Sequence, residues 1–183
     1  MNGKRQTVDE LTSSHHRLPS TVNRQPSYMN NNDIFRRLRY TFDWKDSQVI
    51  ALFALADLEV TREEISNWLK KEEDEDFKSL HDIKLATFLN GFINLKRGKR
   101  EGEQPRPEKR LTNNMVFRKL RIALNMRDDD IMEIFKLVRI RVSKHELSAL
   151  FRKPGQSQYR ECKDQFLRNF LMGLQQKNRP DEE

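Results

Sequence analysis

The chain of 183 residues contains only one cysteine, six glycines and six prolines, and each of these small numbers excludes a class of protein. A single cysteine excludes an intrachain disulfide framework and a cysteine-based zinc site, and it suits a reducing compartment. So few glycines and prolines exclude a collagen-like chain and disfavour a turn-rich β protein. The longest apolar run, residues 49–56, is too short to cross a bilayer, so the sequence predicts no membrane association.

Charged and aromatic residues are plentiful. Charged residues make up 34% of the chain, and 35 Lys and Arg against 28 Asp and Glu give a net charge of +7. Hydrophobic residues make up 36%, and eleven of them are phenylalanines. This composition is typical of a globular protein with a highly charged surface rather than of a disordered polymer.

The composition divides the chain into four parts. Residues 1–28 are polar and have no apolar period, so we expect a disordered extension, and its polar character disfavours a secretory signal. Residues 99–110 contain two prolines and mixed charges, which favour an extended linker. Residues 29–98 and 111–183 form two blocks of similar length. Whether residues 1–28 belong to the native chain, or come from an upstream start or an added leader, is left open.

The two blocks are copies of one another. When the chain is shifted by 82 residues, 18 of the 62 positions between residues 31 and 92 are identical, far above chance. The segment NNDIFRRLR at residues 31–39 aligns with NNMVFRKLR at residues 113–121. The chain is therefore a tandem duplication, and two such units can share one core.

Each repeat contains four segments with helical periodicity. The first segment follows Asn31–Asn32, which we expect to cap it, and the second, beginning near Asp46, is apolar on most sides and should be the buried helix. Since no segment alternates with a period of two, we predict an all-α protein of two pseudo-symmetric four-helix repeats, with about eight helices.

Two devices occur in both repeats and strengthen this prediction. Thr61 with Glu64, and Ser143 with Glu146, have the spacing of capping boxes at the start of the third helix. A glycine lies within the fourth apolar stripe of each repeat, Gly91 and Gly173, where it costs about 1 kcal/mol relative to alanine. We therefore expect another helix to cross closely at each glycine, the alternative being a tolerated remnant of the duplication.

The two repeats differ in net charge. Residues 29–98 contain 11 basic and 13 acidic residues, whereas residues 111–183 contain 15 basic and 10 acidic residues. The acidic residues of the first repeat are concentrated at 72–76, and the equivalent residues 154–158 carry no charge. The opposite charges could hold two surfaces together, within a chain or between chains, or the acidic run could be only a solvated loop.

The first helix keeps its basic residues in both copies, which are Arg36, Arg37 and Arg39 and their equivalents Arg118, Lys119 and Arg121. Next to an Asn-Asn pair and a helix N-terminus, these side chains could contact phosphates. The alternative is a solvated face, or ion pairs with acidic neighbours that contribute about 0–1 kcal/mol each.

The second and third helices have the spacing of a helix-turn-helix motif. In the first repeat, Glu63 and Glu64 would direct acidic groups at DNA. In the second, Arg139, Arg141 and Lys144 form a basic turn and helix start, with His145 beside them. Because ordinary three-helix packing produces the same spacing, the motif is only a weak indication of base reading in the major groove.

No arrangement of residues indicates catalysis or metal binding. The four histidines show no HExxH or comparable spacing, so we predict no metal site and no cofactor. Cys162 aligns with Leu80, which favours a small buried side chain over a nucleophile assisted by His145. The acidic run 128–130 falls at a helix start, where the helix dipole stabilises acidic side chains. We therefore interpret the run as capping the helix rather than as binding a metal ion. We expect a protein that is not an enzyme.

The motifs NNDIFRRLRYTF, WLKKE and FLNGFINLKRGKRE in the first half, and NNMVFRKLRIAL and QFLRNFLMGL in the second, resemble the YehS family of bacteria. The resemblance extends from residue 29 to about residue 177. It implies a small, soluble, cytoplasmic bacterial protein built on a duplicated domain of unknown function, and it supplies no activity, cofactor or site residues.

We therefore expect a non-enzymatic binding module for nucleic-acid backbone, either DNA or RNA. The predicted phosphate contacts are Arg36, Arg37, Arg39, Arg118, Lys119, Arg121, Arg139, Arg141 and Lys144. The alternative is a protein–protein adaptor or self-associating module that uses the opposite charges of the repeats or an exposed apolar groove. Nucleic-acid binding should weaken steeply with salt, and binding in an apolar groove should not.

Overall fold

A computed structural model describes residues 29–180 of the chain. Within that range the chain forms eight α-helices and no β-strand. The helices are α1 (Asn31–Thr41), α2 (Asp46–Ala54), α3 (Arg62–Leu69), α4 (Asp82–Arg97), α5 (Asn113–Ala123), α6 (Asp128–Leu137), α7 (Lys144–Leu150) and α8 (Asp164–Asn178). The prediction of an all-α protein with two four-helix repeats is confirmed. The predicted disorder of residues 1–28 concerns a segment outside the described residues.

The starts of α3 and α7 follow the predicted capping boxes. Thr61 Oγ1 accepts a hydrogen bond from the Glu64 N–H at 3.1 Å, and the Glu64 carboxylate accepts one from the Thr61 N–H at 2.9 Å. In α7, Ser143 and Glu146 make the same two bonds at 3.2 and 2.9 Å. Each box satisfies backbone donors that have no partner within the helix.

The starts of α1 and α5 differ from the prediction. The N-cap of α1 is Asn30, whose side chain accepts from the Asp33 N–H at 2.8 Å, and the N-cap of α5 is Thr112. The expectation that Asn31–Asn32 caps the first helix is therefore wrong. These residues and their equivalents, Asn113 and Asn114, lie inside the first turn, and their side chains bind other parts of the repeat.

The second asparagine of each pair links the first helix to the end of the third helix and to the segment that follows it. The amide group of Asn32 donates to the carbonyls of Trp68 and Lys78, and its oxygen accepts from the Leu80 N–H, all at 2.9 Å. Asn114 repeats all three contacts at 2.9 Å with Leu150, Arg160 and Cys162. Both asparagines are buried, so these bonds satisfy side-chain amide groups that water does not reach and pair two buried backbone groups in each repeat.

Gly91 and Gly173 mark close helix crossings, as the duplicated glycine predicts. A Cβ atom on Gly91 of α4 would lie 1.7 Å from the carbonyl oxygen of Leu52 in α2. On Gly173 of α8 it would lie 2.3 Å from the carbonyl oxygen of Ile134 in α6. Only glycine allows the backbones to approach this closely, and this explains why a residue unfavourable in helices occurs in both copies.

The second helix of the first repeat is less buried than the fourth. Seven residues of α4 are buried, whereas only three residues of α2 are buried, and Ala51 and Ala54 of α2 are exposed. The prediction that the second helix is the buried one is therefore wrong. α4 contacts α2 within its own repeat and α5 in the other repeat, so it has partners on two sides.

The repeats pack against each other reciprocally. α1 lies against α8, and α5 lies against α4, so the first helix of each repeat contacts the fourth helix of the other. The Met29 N–H donates to Asp164 at 3.3 Å, and the equivalent Leu111 N–H donates to Asp82 at 2.9 Å. This reciprocity is that of a pseudo-two-fold axis. Buried side chains of both repeats form one connected hydrophobic core.

The segment that joins the repeats contains no helix between residues 98 and 112. It passes along α4 and α5, where Asn90 donates to the Pro105 carbonyl and Glu108 forms an ion pair with Lys119 at 3.0 Å. None of the helices between residues 29 and 180 has the length and apolar character that crossing a membrane requires.

Candidate nucleic-acid interface

Arg36 and Arg118 hold the ends of the third helices. The guanidinium group of Arg36 donates to the carbonyl of Lys70, the residue that caps α3, and Arg118 donates to the carbonyl of Phe151, which caps α7, both at 2.6 Å. Arg36 also forms an ion pair with Asp33 at 2.6 Å. Cationic donors at a helix C-terminus pair with carbonyl groups that have no partner within the helix. The negative end of the helix dipole also stabilises their charge.

Arg39 and Arg121 pair with the first residue of the next helix. Arg39 lies 2.8 Å from Asp46 at the start of α2, and Arg121 lies 3.0 Å from Asp128 at the start of α6. The guanidinium group of Arg121 also lies 4.4 Å from the centre of the Phe151 ring. Because both side chains are partly buried and form ion pairs, they are less available to bind an external phosphate than the sequence suggests.

Arg37 and Lys119 occupy equivalent positions but have different surroundings. The ammonium group of Lys119 donates to Asn90 at 2.5 Å and pairs with Glu108 at 3.0 Å, and its side chain is only 11% exposed. Within residues 29–180, no carboxylate lies within ion-pair distance of Arg37. Burial, followed by the positive charge of Arg168, lowers the pKa of Arg37, and Asp33 opposes the shift.

Arg139, Arg141 and Lys144 lie at the exposed turn between α6 and α7. Lys144 pairs with Asp129 at 2.9 Å, and this hydrogen bond raises the pKa of Lys144. Arg139 and Arg141 form no ion pair with the carboxylates of residues 29–180. In the first repeat the equivalent residues are Asp57 and Glu59, so the same turn carries the opposite charge.

The backbone of this turn is the same in both repeats. Arg139 has φ of 59° and Asp57 has φ of 58°, in the left-handed region. The following N–H groups, of Ile140 and Leu58, reach back to the carbonyls of Phe135 and Phe53. Arginine is unusual in this conformation, which glycine and asparagine favour.

The first asparagine of each Asn-Asn pair makes contacts that the sequence did not predict. Asn31 donates to the Leu80 carbonyl at 3.0 Å and to Asp82 at 2.7 Å, and Asn113 makes the equivalent bonds. The amide groups therefore bind within the repeat instead of presenting donors to a phosphate. The signal that could have revealed this role is the identity of both asparagines in two repeats that differ at most surface positions.

The candidate catalytic residues lie apart. Cys162 is 2% exposed, and burial, followed by the charges of Asp164 and Glu161, raises the pKa of its thiol to about 12. His145 is exposed on α7 and lines a different cavity from Cys162. Asp128 begins α6, and no cluster of three potential metal ligands occurs in the described part of the chain.

Two related grooves flank the contacts between the repeats. The α1–α8 groove, with a volume of about 400 Å³, is lined by Asp33, Arg36, Arg37, Tyr40, Arg168 and Gln175. The α4–α5 groove, of about 540 Å³, is lined by the equivalent residues Met115, Arg118, Lys119, Ile122 and Ile93, together with Pro105 and Glu108 of the joining segment. A third cavity of about 570 Å³ lies where the starts of α1 and α5 meet.

The fold and these surfaces define an all-α protein of two tandem four-helix repeats related by a pseudo-two-fold axis. A family model described as "Protein of unknown function (DUF1456)" matches residues 31–98 and again residues 113–179, which are the two repeats. The chain belongs to this family. It is also 45% identical over 147 residues to the Uncharacterized protein YehS of Escherichia coli (strain K12), an alignment that covers 80% of this chain and 94% of that protein. No solved structure matches the chain significantly.

Proposed function

We propose that the chain is a non-enzymatic module that binds nucleic acid through the phosphate backbone, with the turn between α6 and α7 as the contact surface. The observation that carries this proposal is the exposure of Arg139 and Arg141 without a carboxylate partner in the described part of the chain. A guanidinium group that is not paired with a carboxylate of the protein can form bidentate hydrogen bonds with phosphate oxygens.

The charge of the second repeat supports this location. Residues 111–183 contain 15 basic and 10 acidic residues, and nearby Lys136, Lys144 and His145 are exposed. Arg139 has the same left-handed backbone as Asp57, so the fold presents the two side chains alike and only their charge differs. In the first repeat the equivalent turn is acidic, so the two repeats contribute differently to the proposed binding.

Three of the nine predicted basic residues form this contact surface, and the others serve the fold or a separate groove. Arg36, Arg118, Arg39 and Arg121 bind backbone carbonyls or carboxylates of their own repeat, and Lys119 binds the joining segment. Breaking those contacts to bind a phosphate would leave buried or half-buried groups unpaired. Arg37 lies in the α1–α8 groove.

Backbone contact fits the turn better than base reading does. α7 has only seven residues, and its exposed side chains are Lys144, His145 and Ser148. Base-edge reading by a helix usually relies on three or four side chains that reach into the major groove. The proposed binding is therefore weakly selective for sequence and strongly dependent on salt.

The α4–α5 groove favours a second candidate function, protein–protein interaction. Ile93 and Met115 line this groove, and Ile122 at its edge is 46% exposed. A partner helix with an apolar stripe would bury these side chains, and this binding would depend little on salt.

We place the protein in the cytoplasm. The free thiol of Cys162, buried in the second repeat, is compatible with a reducing compartment.

The test of nucleic-acid binding uses the full chain titrated into labelled double-stranded DNA and single-stranded RNA. We expect the affinity for either ligand to fall at least tenfold between about 50 and 200 mM salt. Replacing Arg139, Arg141 and Lys144 with alanine should weaken binding at least tenfold and make the slope of log K against log salt shallower by about 2–3.

The matched control replaces Lys71, Lys78 and Lys96 with alanine, which removes the same charge from exposed positions of the first repeat. We expect this variant to bind within about twofold of the parent chain, since long-range charge effects are screened. No binding at about 50 mM salt, or equal losses in the two triple variants, would refute the proposed surface. Binding that is insensitive to salt would instead support the protein–protein candidate.

A further inference from the structure

The α4–α5 groove combines apolar side chains with exposed arginines. Ile93 of α4 and Met115 and Ile122 of α5 line it, and Ile122 is 46% exposed. Arg97 in the last turn of α4 and Arg100 in the joining segment line the same groove, and both are exposed. The groove therefore offers apolar surface and positive charge side by side.

The apolar side chains are a property of this groove and not of the repeat. The pseudo-two-fold axis relates it to the α1–α8 groove, where the three equivalent residues carry polar groups and are Gln175, Asp33 and Tyr40. A groove therefore forms between the first and fourth helices without apolar side chains at these positions. Apolar side chains that remain partly exposed together are typical of a surface that another molecule covers.

Arg97 differs from its equivalent in α8, Arg179, in the residue that stands beside it. Arg179 forms an ion pair with Asp43, which follows α1. Asn125 occupies the equivalent position after α5, and both residues have φ of 52°, so the backbone is the same and only the carboxylate is replaced. Arg97 and Arg100 form no ion pair with the carboxylates of residues 29–180. Their positive charge is therefore available to an acidic partner.

The shape of the groove matches a helix. Its lining residues lie at positions i, i+3, i+4 and i+7 of one helix face, between residues 90 and 97 of α4 and between residues 115 and 122 of α5. Each stripe extends about 10 Å along its helix, which is the length of about two helical turns. A third helix packs between two such faces by placing its own stripe of side chains in the groove.

We propose that the α4–α5 groove binds an acidic amphipathic helix of a partner protein. The apolar stripe of that helix lies on Ile93, Met115 and Ile122, and its carboxylates pair with Arg97 and Arg100. This inference rests on the protein–protein candidate function, to which it adds the charge of the partner. The groove shares no residue with the turn between α6 and α7, so nucleic-acid binding at that turn is tested separately.

The experiment titrates the full chain with three synthetic helical peptides of about 18 residues, a length at which isolated helices form. The first has a leucine stripe flanked by glutamates, the second has lysines in place of the glutamates, and the third has alanines in place of the leucines. At about 150 mM salt, we expect the glutamate peptide to bind with a dissociation constant below about 100 μM and the others at least tenfold more weakly. The methyl NMR signals of Ile93 and Ile122 should shift on binding.

Two variants test the charge contacts. Arg97→Glu combined with Arg100→Glu should reverse the preference, so that the lysine peptide binds more tightly than the glutamate peptide. Asn125→Asp should weaken binding of the glutamate peptide by about threefold or more, because the new carboxylate pairs with Arg97. All three positions are exposed, so we expect the unfolding temperature of both variants to stay close to that of the parent.

The matched control is Lys153→Glu combined with Lys177→Glu, which makes the same change of charge at exposed positions outside the groove. It should leave the affinity for the glutamate peptide within about twofold of the parent. Equal binding of the glutamate and lysine peptides would overturn the proposal and leave the protein–protein candidate standing. No binding of the glutamate peptide at about 1 mM would overturn both. Displacement of the glutamate peptide by double-stranded DNA would assign the two arginines to nucleic acid, and this result would also overturn the proposal.

Discussion

The segments that follow the third helix in the two repeats have the same backbone hydrogen bonds and different side chains. The Asp74 N–H donates to the Lys71 carbonyl in the first repeat, and the Gln156 N–H donates to the Lys153 carbonyl in the second. Yet residues 72–76 are all acidic, and residues 154–158 carry no charge. Backbone pairing and packing therefore preserve the shape of each repeat, while the exposed positions are free to take opposite charges.

The comparison also separates two kinds of basic residue. Arg36 and Arg118 bind the carbonyls that cap α3 and α7, so they are required by the fold in both repeats. Arg139 and Asp57 occupy the same exposed turn with opposite charges; Asp57 pairs with Lys99 at 2.6 Å, whereas Arg139 forms no ion pair with a carboxylate of residues 29–180. Residues that the two repeats share therefore serve the fold of this protein. Residues that differ between the repeats mark the surfaces where function can differ.

The largest effect is expected at the two helix crossings. Gly91→Ala should destabilise the protein by about 3 kcal/mol or more, and Gly173→Ala by about 1–3 kcal/mol, because added carbon atoms overlap a neighbouring backbone more severely in the first repeat. The free energy of unfolding in urea checks both values.

The controls for the glycine variants are exposed positions on the same helices, Leu95→Ala on α4 and Met172→Ala on α8. We expect both to change the free energy of unfolding by less than about 0.5 kcal/mol. Stabilisation by either Gly91→Ala or Gly173→Ala would show that the helices do not cross closely there, since alanine is the better helix former.

A smaller effect is expected at the buried asparagines. Asn32→Ala and Asn114→Ala should each cost about 1–3 kcal/mol, because each leaves two buried backbone groups and one partly buried group without a side-chain partner. In the second repeat Tyr159 also donates to Asn114 at 3.2 Å, so Tyr159→Phe should cost about 0.5–1.5 kcal/mol. Urea unfolding measures all three, and a loss below 1 kcal/mol in both alanine variants contradicts the linking role.

The smallest effect is expected at Cys162, whose counterpart in the first repeat is Leu80. Both side chains are 2% exposed, so Cys162→Leu should change the free energy of unfolding by less than about 1.5 kcal/mol. The thiol, with its pKa raised to about 12, stays protonated at pH 8 and should react with a thiol reagent at least 100-fold more slowly than in the unfolded chain. Rapid labelling of the folded protein would show that the side chain is accessible.

Much of the fold was predictable from local patterns. The capping boxes at Thr61 and Ser143 involve residues only three positions apart, so the local sequence was sufficient to predict them. The close crossings at Gly91 and Gly173 were predictable because the duplication repeated an otherwise unfavourable residue. The role of Asn32 was not, since its partners lie 36 to 48 residues away along the chain.

The candidate site was predictable only as a set of basic residues. Helical spacing located Arg36, Arg39 and their equivalents on the first helices, but did not reveal that carbonyls and carboxylates of the repeat already bind them. Arg168 has no basic counterpart in the first repeat, where Ala86 occupies its position, and no sequence pattern connected it with Arg37. The two arginines are brought together by the packing of α1 against α8.

The sequence by itself determined the duplication, the all-α class, the starts of the third helices and the opposite net charges of the repeats. These properties follow from composition, periodicity and hydrogen bonds between near neighbours, which require no knowledge of distant contacts. The tertiary structure alone decided which basic side chains are neutralised within the fold and which remain available to a ligand. Charge pairing depends on distance in space, and helix packing places charges from remote parts of the chain within a few ångströms of one another.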